Sequence, residues 1–235
     1  MPPSRLEAAI AQVHERIRMA CNRVGRDPKS VTLVAVTKTL SRERVEEAIR
    51  SGLAVLGENR VQEAQRKIAA IKLPAEWHLI GHLQSNKARL AVPLFRRIHS
   101  IDGSRLAEKI NEAAAEFDPL GHSPLQVLVQ VNVSGEESKS GVAPGDLIPL
   151  VETIARLRHI SVGGLMTIPP ICEGLESTRP FFRNLRQLAE EVAERRIPGV
   201  KMNDLSMGMS EDFEVAIEEG ATIVRIGRAL FGERG

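Results

Sequence analysis

Apolar residues recur along the chain in two alternating arrangements, short unbroken runs and longer stretches with a spacing of three and four. Residues 31–38 (VTLVAVTK) form an apolar, β-branched run, as buried strands do, whereas residues 41–52 (SRERVEEAIRSG) have the spacing and end signals of an amphipathic helix. Seven more strand-like runs follow, each with a helix-like segment after it: AVLGEN, WHLIGH, RIHSID, LQVLVQVNV, ISVGGLMTI, DLSMGM and TIVRIG. The pattern therefore predicts eight consecutive βα units.

Eight βα units predict an α/β fold, namely a (β/α)8 TIM barrel, for a chain of this length. Continuous Val, Ile and Leu runs are typical of parallel strands that helices cover on both faces. The alternative is an open doubly wound sheet, which more often has a G-x-G-x-x-G turn where this chain has TKTLS. We therefore predict a single barrel domain over residues 1–235. An extra N-terminal helix, residues 4–25, is expected outside the barrel or across one end.

Composition narrows the class of protein. Hydrophobic residues make up 43% and charged residues 26% of the chain, and the net charge is only +2, so we expect a globular protein that does not bind nucleic acid. No apolar stretch approaches membrane-spanning length and the start does not resemble a signal peptide, which predicts a cytoplasmic protein without membrane contact. The two cysteines, Cys21 and Cys172, lack ligand spacing. We expect both to be buried, with no metal site.

Lys38 stands at the end of the first predicted strand, where a (β/α)8 barrel carries its functional side chains. Apolar surroundings lower the pKa of a lysine from its ordinary value of about 10.4 and expose the free amine, which forms Schiff bases with aldehydes. The structural alternative is a lysine whose stem packs on apolar surface while its ammonium group reaches water. The position makes Lys38 a candidate amine for a carbonyl substrate or for pyridoxal phosphate.

The last two predicted strands end in glycines, Gly208 in LSMGMS and Gly227 in VRIGRALFG. Glycine lets backbone amides approach an anion, and the loops after strands seven and eight hold phosphate groups in such barrels. With Ser206, Ser210 and Arg225 beside them, the two glycines predict a phosphate site, although tight turns would also explain each one. Strands one and eight are neighbours in a closed barrel, so one ligand can contact both the lysine and this site.

Other polar residues are weaker candidates. Asn59 and Asn132 follow strands two and five and suit hydrogen bonds to a ring substituent, but asparagine is also common in turns. His78 and His82 are about 13 Å apart at roughly 3.3 Å per residue, too far to share a metal, and we interpret them as structural. Two loop lysines are interpreted as solvated charges, with capture of an anionic ligand second: Lys87 and Lys139.

Seven motifs together resemble a known family: VAVTKT, GENRVQEAQRK, WHLIGHLQSNK, VNVSGEESKSG, GLMTI, LSMGMSEDFEVAIEEG and VRIGRALFG. They are similar, in this order, to the pyridoxal phosphate homeostasis (YggS-type) proteins, and they extend from about Val31 to Gly232. Each motif alone is weak, whereas the ordered set is specific. The resemblance implies a single (β/α)8 barrel like the N-terminal domain of alanine racemase.

The same resemblance implies the site residues. Pyridoxal 5'-phosphate would be bound to Lys38 as an internal aldimine, and Arg225 would face the pyridine nitrogen. Backbone amides would hold the phosphate at Ser206, Met207, Gly208, Gly227 and Arg228. Arg228 departs from the family pattern, which has Thr or Ser there; an amide contact would survive this change, and the guanidinium offers a charged substitute for a hydroxyl.

Family members are described as buffering or delivering the cofactor, with no established catalytic activity. The resemblance therefore implies a non-catalytic protein of intracellular cofactor homeostasis, with pyridoxal phosphate-dependent apoenzymes as candidate recipients. Because the second domain that pairs racemase subunits is not evident, we expect a monomer. The alternative is a pyridoxal phosphate-dependent amino-acid racemase, whose two-base route needs a second acid–base group. Alanine racemase-like enzymes use a tyrosine from a second domain of the partner subunit, and this sequence has neither a tyrosine nor an evident second domain.

Two further considerations separate these functions. A guanidinium opposite the ring nitrogen cannot accept its proton, which leaves a weak electron sink for carbanion chemistry. A third interpretation is a barrel aldolase that uses Lys38 on a sugar phosphate. Such an enzyme would be colourless, whereas a pyridoxal phosphate Schiff base absorbs visible light.

Overall fold

The computed structural model describes residues 3–136 and 139–233, and in these residues the eight predicted strands form one closed parallel barrel. Neighbouring strands pair in chain order, and the first strand pairs with the last, which closes the ring. The predicted fold is therefore confirmed. The strands are β1 (Thr32–Val36), β2 (Val55–Glu58), β3 (Glu76–Leu79), β4 (Arg97–Ile101), β5 (Leu125–Gln130), β6 (Ile160–Met166), β7 (Asp204–Ser206) and β8 (Ile223–Ile226).

A helix follows each strand. The spacing of the apolar residues places one stripe of each longer helix against the barrel, as in the helix after β4, where Leu106, Ala107 and Ile110 are buried. No helix in the described part of the chain is long and apolar enough to span a membrane. The helices are α2 (Arg42–Arg50), α3 (Val61–Ala70), α4 (Ala88–Ala91), α5 (Ser104–Phe117), α6 (Leu147–Ala155), α7 (Arg179–Glu194), α8 (Phe213–Glu218) and α9 (Arg228–Phe231).

The extra N-terminal helix, α1 (Arg5–Arg23), packs on the outside of the barrel against α8 and α9. Its start carries a capping box, in which the Ser4 hydroxyl accepts from the Glu7 amide and the Glu7 carboxylate accepts from the Ser4 amide. The Arg16 guanidinium lies over the ring of Phe213, 4.4 Å from its centroid. These contacts confirm the first of the two expected positions for this helix.

The two cysteines differ in burial. Cys21 is fully buried on the inner face of α1, as predicted. Cys172 is only half-buried, and the prediction for it was wrong because it lies in the loop after β6 and not in an element that packs on the core.

Candidate functional site

A cavity of about 730 Å³ opens at the carboxyl ends of the strands. Small-molecule sites in proteins commonly occupy 300–1,000 Å³. Its wall combines apolar side chains, among them Val36, Ile80 and Ile168, with side chains of both charges. The size and this mixed lining suit a small polar ligand with an apolar ring.

Five of the residues predicted for the site line this cavity: Lys38, Asn59, Arg225, Gly227 and Arg228. They come from the ends of β1, β2 and β8, and the pairing of β1 with β8 sets Ala35 opposite Ile226, close to both ends. The structure therefore brings Lys38 into one cavity with the last loop.

The other three predicted residues do not line the cavity. Ser206 and Met207 are fully buried, and the Met207 amide already donates to the Ile223 carbonyl oxygen at 3.1 Å. The Gly208 carbonyl oxygen accepts from the Arg225 amide at 3.0 Å. These residues extend the contact between β7 and β8, so the Met207 amide is committed to the sheet.

Ser210 holds the two final loops together at the cavity wall. Its Oγ accepts from the amides of Gly227 and Ala229, both at 3.2 Å. Both lone pairs are then engaged, so the hydroxyl hydrogen is the group that Ser210 can offer to a ligand. In the sequence Ser210 lies near Gly208, but its contact with the Gly227 loop cannot be predicted, because the two loops meet only in the folded barrel.

Lys38 lies two residues beyond the end of β1, not within the strand. The chain turns at Thr37–Leu40, where the Leu40 amide donates to the Thr37 carbonyl oxygen at 3.1 Å. This turn ends the strand earlier than the apolar run predicts and carries Lys38 to the cavity wall.

Arg225 is a buried cation whose guanidinium donates to neutral oxygens. Its side chain donates to the Ser206 hydroxyl at 2.7 Å and to the Thr167 carbonyl oxygen at 2.9 Å. Burial lowers the pKa of Arg225 to about 10, although the charge of Asp212 opposes this shift. Arg225 therefore brings positive charge to the inner wall of the cavity.

A chain of hydrogen bonds leads from Arg225 through the barrel interior. Ser206 Oγ lies 2.9 Å from His99 Nδ1, His99 Nε2 lies 3.0 Å from His78 Nδ1, and His78 Nε2 lies 2.8 Å from Glu76 Oε1. His99 and His78 are buried, whereas the Glu76 side chain, at the start of β3, is 45% exposed. The chain thus connects the cavity wall with solvent at the opposite end of the barrel.

The two ends of this chain determine the direction of every hydrogen bond in it. An arginine only donates and a carboxylate only accepts. With both imidazoles neutral, His78 must donate from Nε2 to Glu76 and accept at Nδ1, so His99 donates from Nε2 and accepts at Nδ1 from Ser206. Burial lowers the pKa of both histidines, that of His99 well below its ordinary value, which keeps them neutral.

These buried histidines predict that the protein loses stability in acid. The unfolded chain takes up protons as the pH falls through about 6.5, whereas the folded chain does not, so the free energy of unfolding is highest above that pH and decreases below it, by up to about 1.4 kcal/mol per pH unit for each histidine. We expect His99→Gln to show a shallower decrease between pH 7 and pH 5 in urea unfolding. Equal slopes would contradict the assignment of neutral His99.

The histidines and loop lysines that were weaker candidates differ in whether they line the cavity. His78 has the predicted structural role. His82 lines the cavity, and its Nδ1 lies 3.2 Å from a carboxylate oxygen of Asp102. Lys139 also lines the cavity, whereas Lys87 lies in a short 3-10 turn and is not among the lining residues.

Asn132 is a turn residue. Its side chain donates to the Glu136 carbonyl oxygen and accepts from the Gly135 amide, which accounts for its position without a ligand. The Arg228 guanidinium pairs with Glu211 at 2.6 Å, and both side chains are largely exposed. Among residues 3–136 and 139–233, no cluster of three His, Cys, Asp or Glu residues could hold a metal ion.

Comparison with known proteins places the chain in a family. Residues 9–235 match the sequence family described as alanine racemase, N-terminal domain. The pyridoxal phosphate homeostasis protein of Aquifex aeolicus is 48% identical over 226 residues, which cover 96% of each chain. That of Pseudomonas aeruginosa is 44% identical over 232 residues, covering 98% of this chain and 96% of the relative.

Solved structures agree with this match. PipY of Synechococcus elongatus with PLP bound is 37% identical, with a TM-score of 0.79 over 94% of this chain and all of that one. Alanine racemase of Clostridium difficile is 15% identical with a TM-score of 0.71, and the match covers 57% of its length, which shows a shared fold alone. From its sequence and its barrel, the chain belongs to the family of pyridoxal phosphate homeostasis proteins.

Proposed function

We propose that the protein binds pyridoxal 5'-phosphate in this cavity, with Lys38 as the amine that holds the aldehyde, and that it buffers or delivers the cofactor. The observation that carries the proposal is that Lys38 and the two final loops line one cavity of cofactor size. The PLP-bound structure of PipY, at 37% identity, supports the choice of ligand.

Schiff-base formation explains how the cofactor is both held and released. The neutral Lys38 amine attacks the aldehyde carbon, the nitrogen loses both its protons, and the carbonyl oxygen leaves as water while the C=N bond forms. Addition of water reverses the reaction without any redox partner. A binding protein that stores an aldehyde needs this reversibility, because a permanent bond would remove the cofactor from use.

The phosphate belongs in the loops after β7 and β8. Ser210 offers its hydroxyl hydrogen, and Gly227 and Arg228 also line this part of the cavity. Because the Met207 amide is bound to β8 and the Gly227 amide to Ser210, we assign the phosphate contacts to the Ser210 hydroxyl and to Arg228, in preference to Ser206, Met207 and Gly208, which do not line the cavity. The role of those three is then to fix the loop that carries Ser210.

Asn59 and Arg225 face the remaining part of the ligand. Arg225 is a donor only, so against the ring nitrogen it would leave that nitrogen unprotonated. An unprotonated pyridine withdraws electrons weakly, which disfavours carbanion chemistry. This supports a binding role over racemisation, as does the absence of tyrosine from the sequence.

Borohydride reduction tests the proposal. Purified protein mixed with pyridoxal phosphate is expected to absorb visible light, to lose this absorbance on reduction, and to carry the reduced adduct on Lys38 in peptide mapping. An adduct confined to Lys87 or Lys139 would overturn the site. Loaded protein that restores no activity to a pyridoxal phosphate-dependent apoenzyme would count against delivery.

A monomeric state and a location in the cytoplasm complete the proposed function. Apoenzymes that receive the cofactor would then meet the protein in the same compartment.

A further inference from the structure

The turn that carries Lys38 holds an unfavourable backbone conformation. In Thr37–Leu40 the third residue, Thr39, has a φ of +63°. Glycine normally occupies the third position of a turn with positive φ, and a β-branched residue there is an outlier. Such a conformation costs on the order of 1–3 kcal/mol and persists only where the surroundings enforce it.

Two residues of α3 bind the backbone on both sides of Lys38. Lys67 Nζ donates to the Thr37 carbonyl oxygen at 2.6 Å, and Glu63 Oε1 accepts from the Thr39 amide at 2.5 Å. Lys67 and Glu63 lie one helical turn apart and form an ion pair of 2.7 Å. The peptide groups before and after Lys38 are therefore held by one rigid pair.

The buried carboxylate of Glu58 holds Lys67 of this pair in place. Glu58, at the end of β2, is fully buried, and its Oε1 accepts from Lys67 at 2.8 Å and from the Thr37 hydroxyl at 2.7 Å. Its Oε2 is buried without a hydrogen-bond partner among the described residues. A buried ion pair with an unsatisfied oxygen contributes little net stability, so its value lies in the geometry that it imposes.

We propose that Glu63 and Lys67 are positioning residues that hold the Thr37–Leu40 turn in its strained form and so direct the Lys38 amine into the cavity. The inference rests on the proposed function, since it concerns how fast this amine reacts with pyridoxal phosphate. Without the two contacts the turn would relax toward negative φ at Thr39. The amine would then spend less time in the reactive position.

Variants of Glu63 test this without leaving a buried charge unpaired, because Lys67 keeps its ion pair with Glu58 at 2.8 Å. We expect Glu63→Ala to slow Schiff-base formation about tenfold, which corresponds to about 1.4 kcal/mol. The rate is measured from the rise of visible absorbance after rapid mixing with pyridoxal phosphate. Glu63→Gln should react within about twofold of wild type, since its amide oxygen still accepts from Thr39.

A glycine at position 39 tests whether the contacts of Glu63 act by holding the strained turn. Glycine adopts positive φ without strain, so Thr39→Gly combined with Glu63→Ala should react at nearly the rate of Thr39→Gly alone. Lys67→Met, combined with Glu58→Gln so that no fully buried carboxylate is left without its cation, should slow the reaction as Glu63→Ala does. Exposed Gln62→Ala on the same helix is the control.

The outcomes separate the two proposals. If wild type forms no reducible adduct on Lys38, the proposed function fails. If wild type forms it but Glu63→Ala reacts at the wild-type rate, or if Thr39→Gly does not restore the rate, the positioning role is wrong. A lower melting temperature of Glu63→Ala without a slower reaction would assign the pair to stability alone.

Discussion

Replacement of Lys38 by alanine is expected to abolish the visible absorbance of the protein with pyridoxal phosphate and to weaken binding by about 100-fold or more. The alanine variant keeps the loops for the phosphate but has no amine to form the C=N bond. A loss of this size corresponds to about 2.7 kcal/mol. Titration followed by absorbance and by calorimetry measures both effects.

Lys87→Ala is the matched control for this variant. Lys87 lies on a loop after β3 and does not line the cavity, so its removal should leave the absorbance and the affinity unchanged. Lys38→Ala with an undiminished visible band would contradict the assignment of the amine.

Replacement of Gly208 by alanine is expected to destabilise the barrel by about 2–6 kcal/mol. A Cβ at this position would lie 2.6 Å from Ala216 Cβ and 2.9 Å from Phe213 Cα, both in α8, and the φ of +91° is strained for alanine. Strain and overpacking each cost roughly 1–3 kcal/mol. The melting temperature should fall by roughly 5–20 °C, and cofactor affinity should fall because the loop with Ser210 moves.

Gly25→Ala separates strain from collision. Gly25 has a φ of +67°, but no atom lies within 4 Å of a Cβ built there, so the substitution adds strain alone, about 1–2 kcal/mol. In urea unfolding, the free energy of unfolding of Gly208→Ala should therefore be well below that of Gly25→Ala. Similar values for both would show that α8 yields to the added methyl group.

The order and direction of the strands could be predicted because each βα unit is a local pattern. A run of Val, Ile and Leu followed by a helical spacing is visible within about 20 residues, and the barrel then follows from the number of units. The position of Lys38 at the cavity could be predicted for the same reason, since the end of a strand has a defined place in a barrel. That β1 and β8 are neighbours follows directly once the barrel is closed.

The positions of contacts between distant residues could not be predicted. His99 lies inside the run RIHSID, where the spacing does not show which side chains face the interior, and its partners belong to β3 and β7. The i,i+4 spacing of Glu63 and Lys67 indicates a contact along one face of the helix and nothing beyond it. The contact of Lys67 with Thr37, 30 residues earlier, exists only after α3 packs on β2.

The loop after β7 shows how the position of a strand end affects a predicted site. The sequence predicts that β7 ends at Gly208, and the family resemblance implies that amides from Ser206 onward hold the phosphate. In the fold the Met207 amide pairs with β8, so the cavity wall begins at Met209. Strand ends are set by pairing across the barrel, which the sequence of one strand does not contain.

The pairing of β1 with β8 has a consequence for the protein during its synthesis. Lys38 leaves the ribosome early, but the strand that completes its surroundings is made almost 190 residues later. A nascent or prematurely stopped chain therefore has Lys38 without the two final loops to which we assign the phosphate. Under the proposed function, the capacity to hold the cofactor therefore depends on the number of completed chains and not on the amount of message being translated.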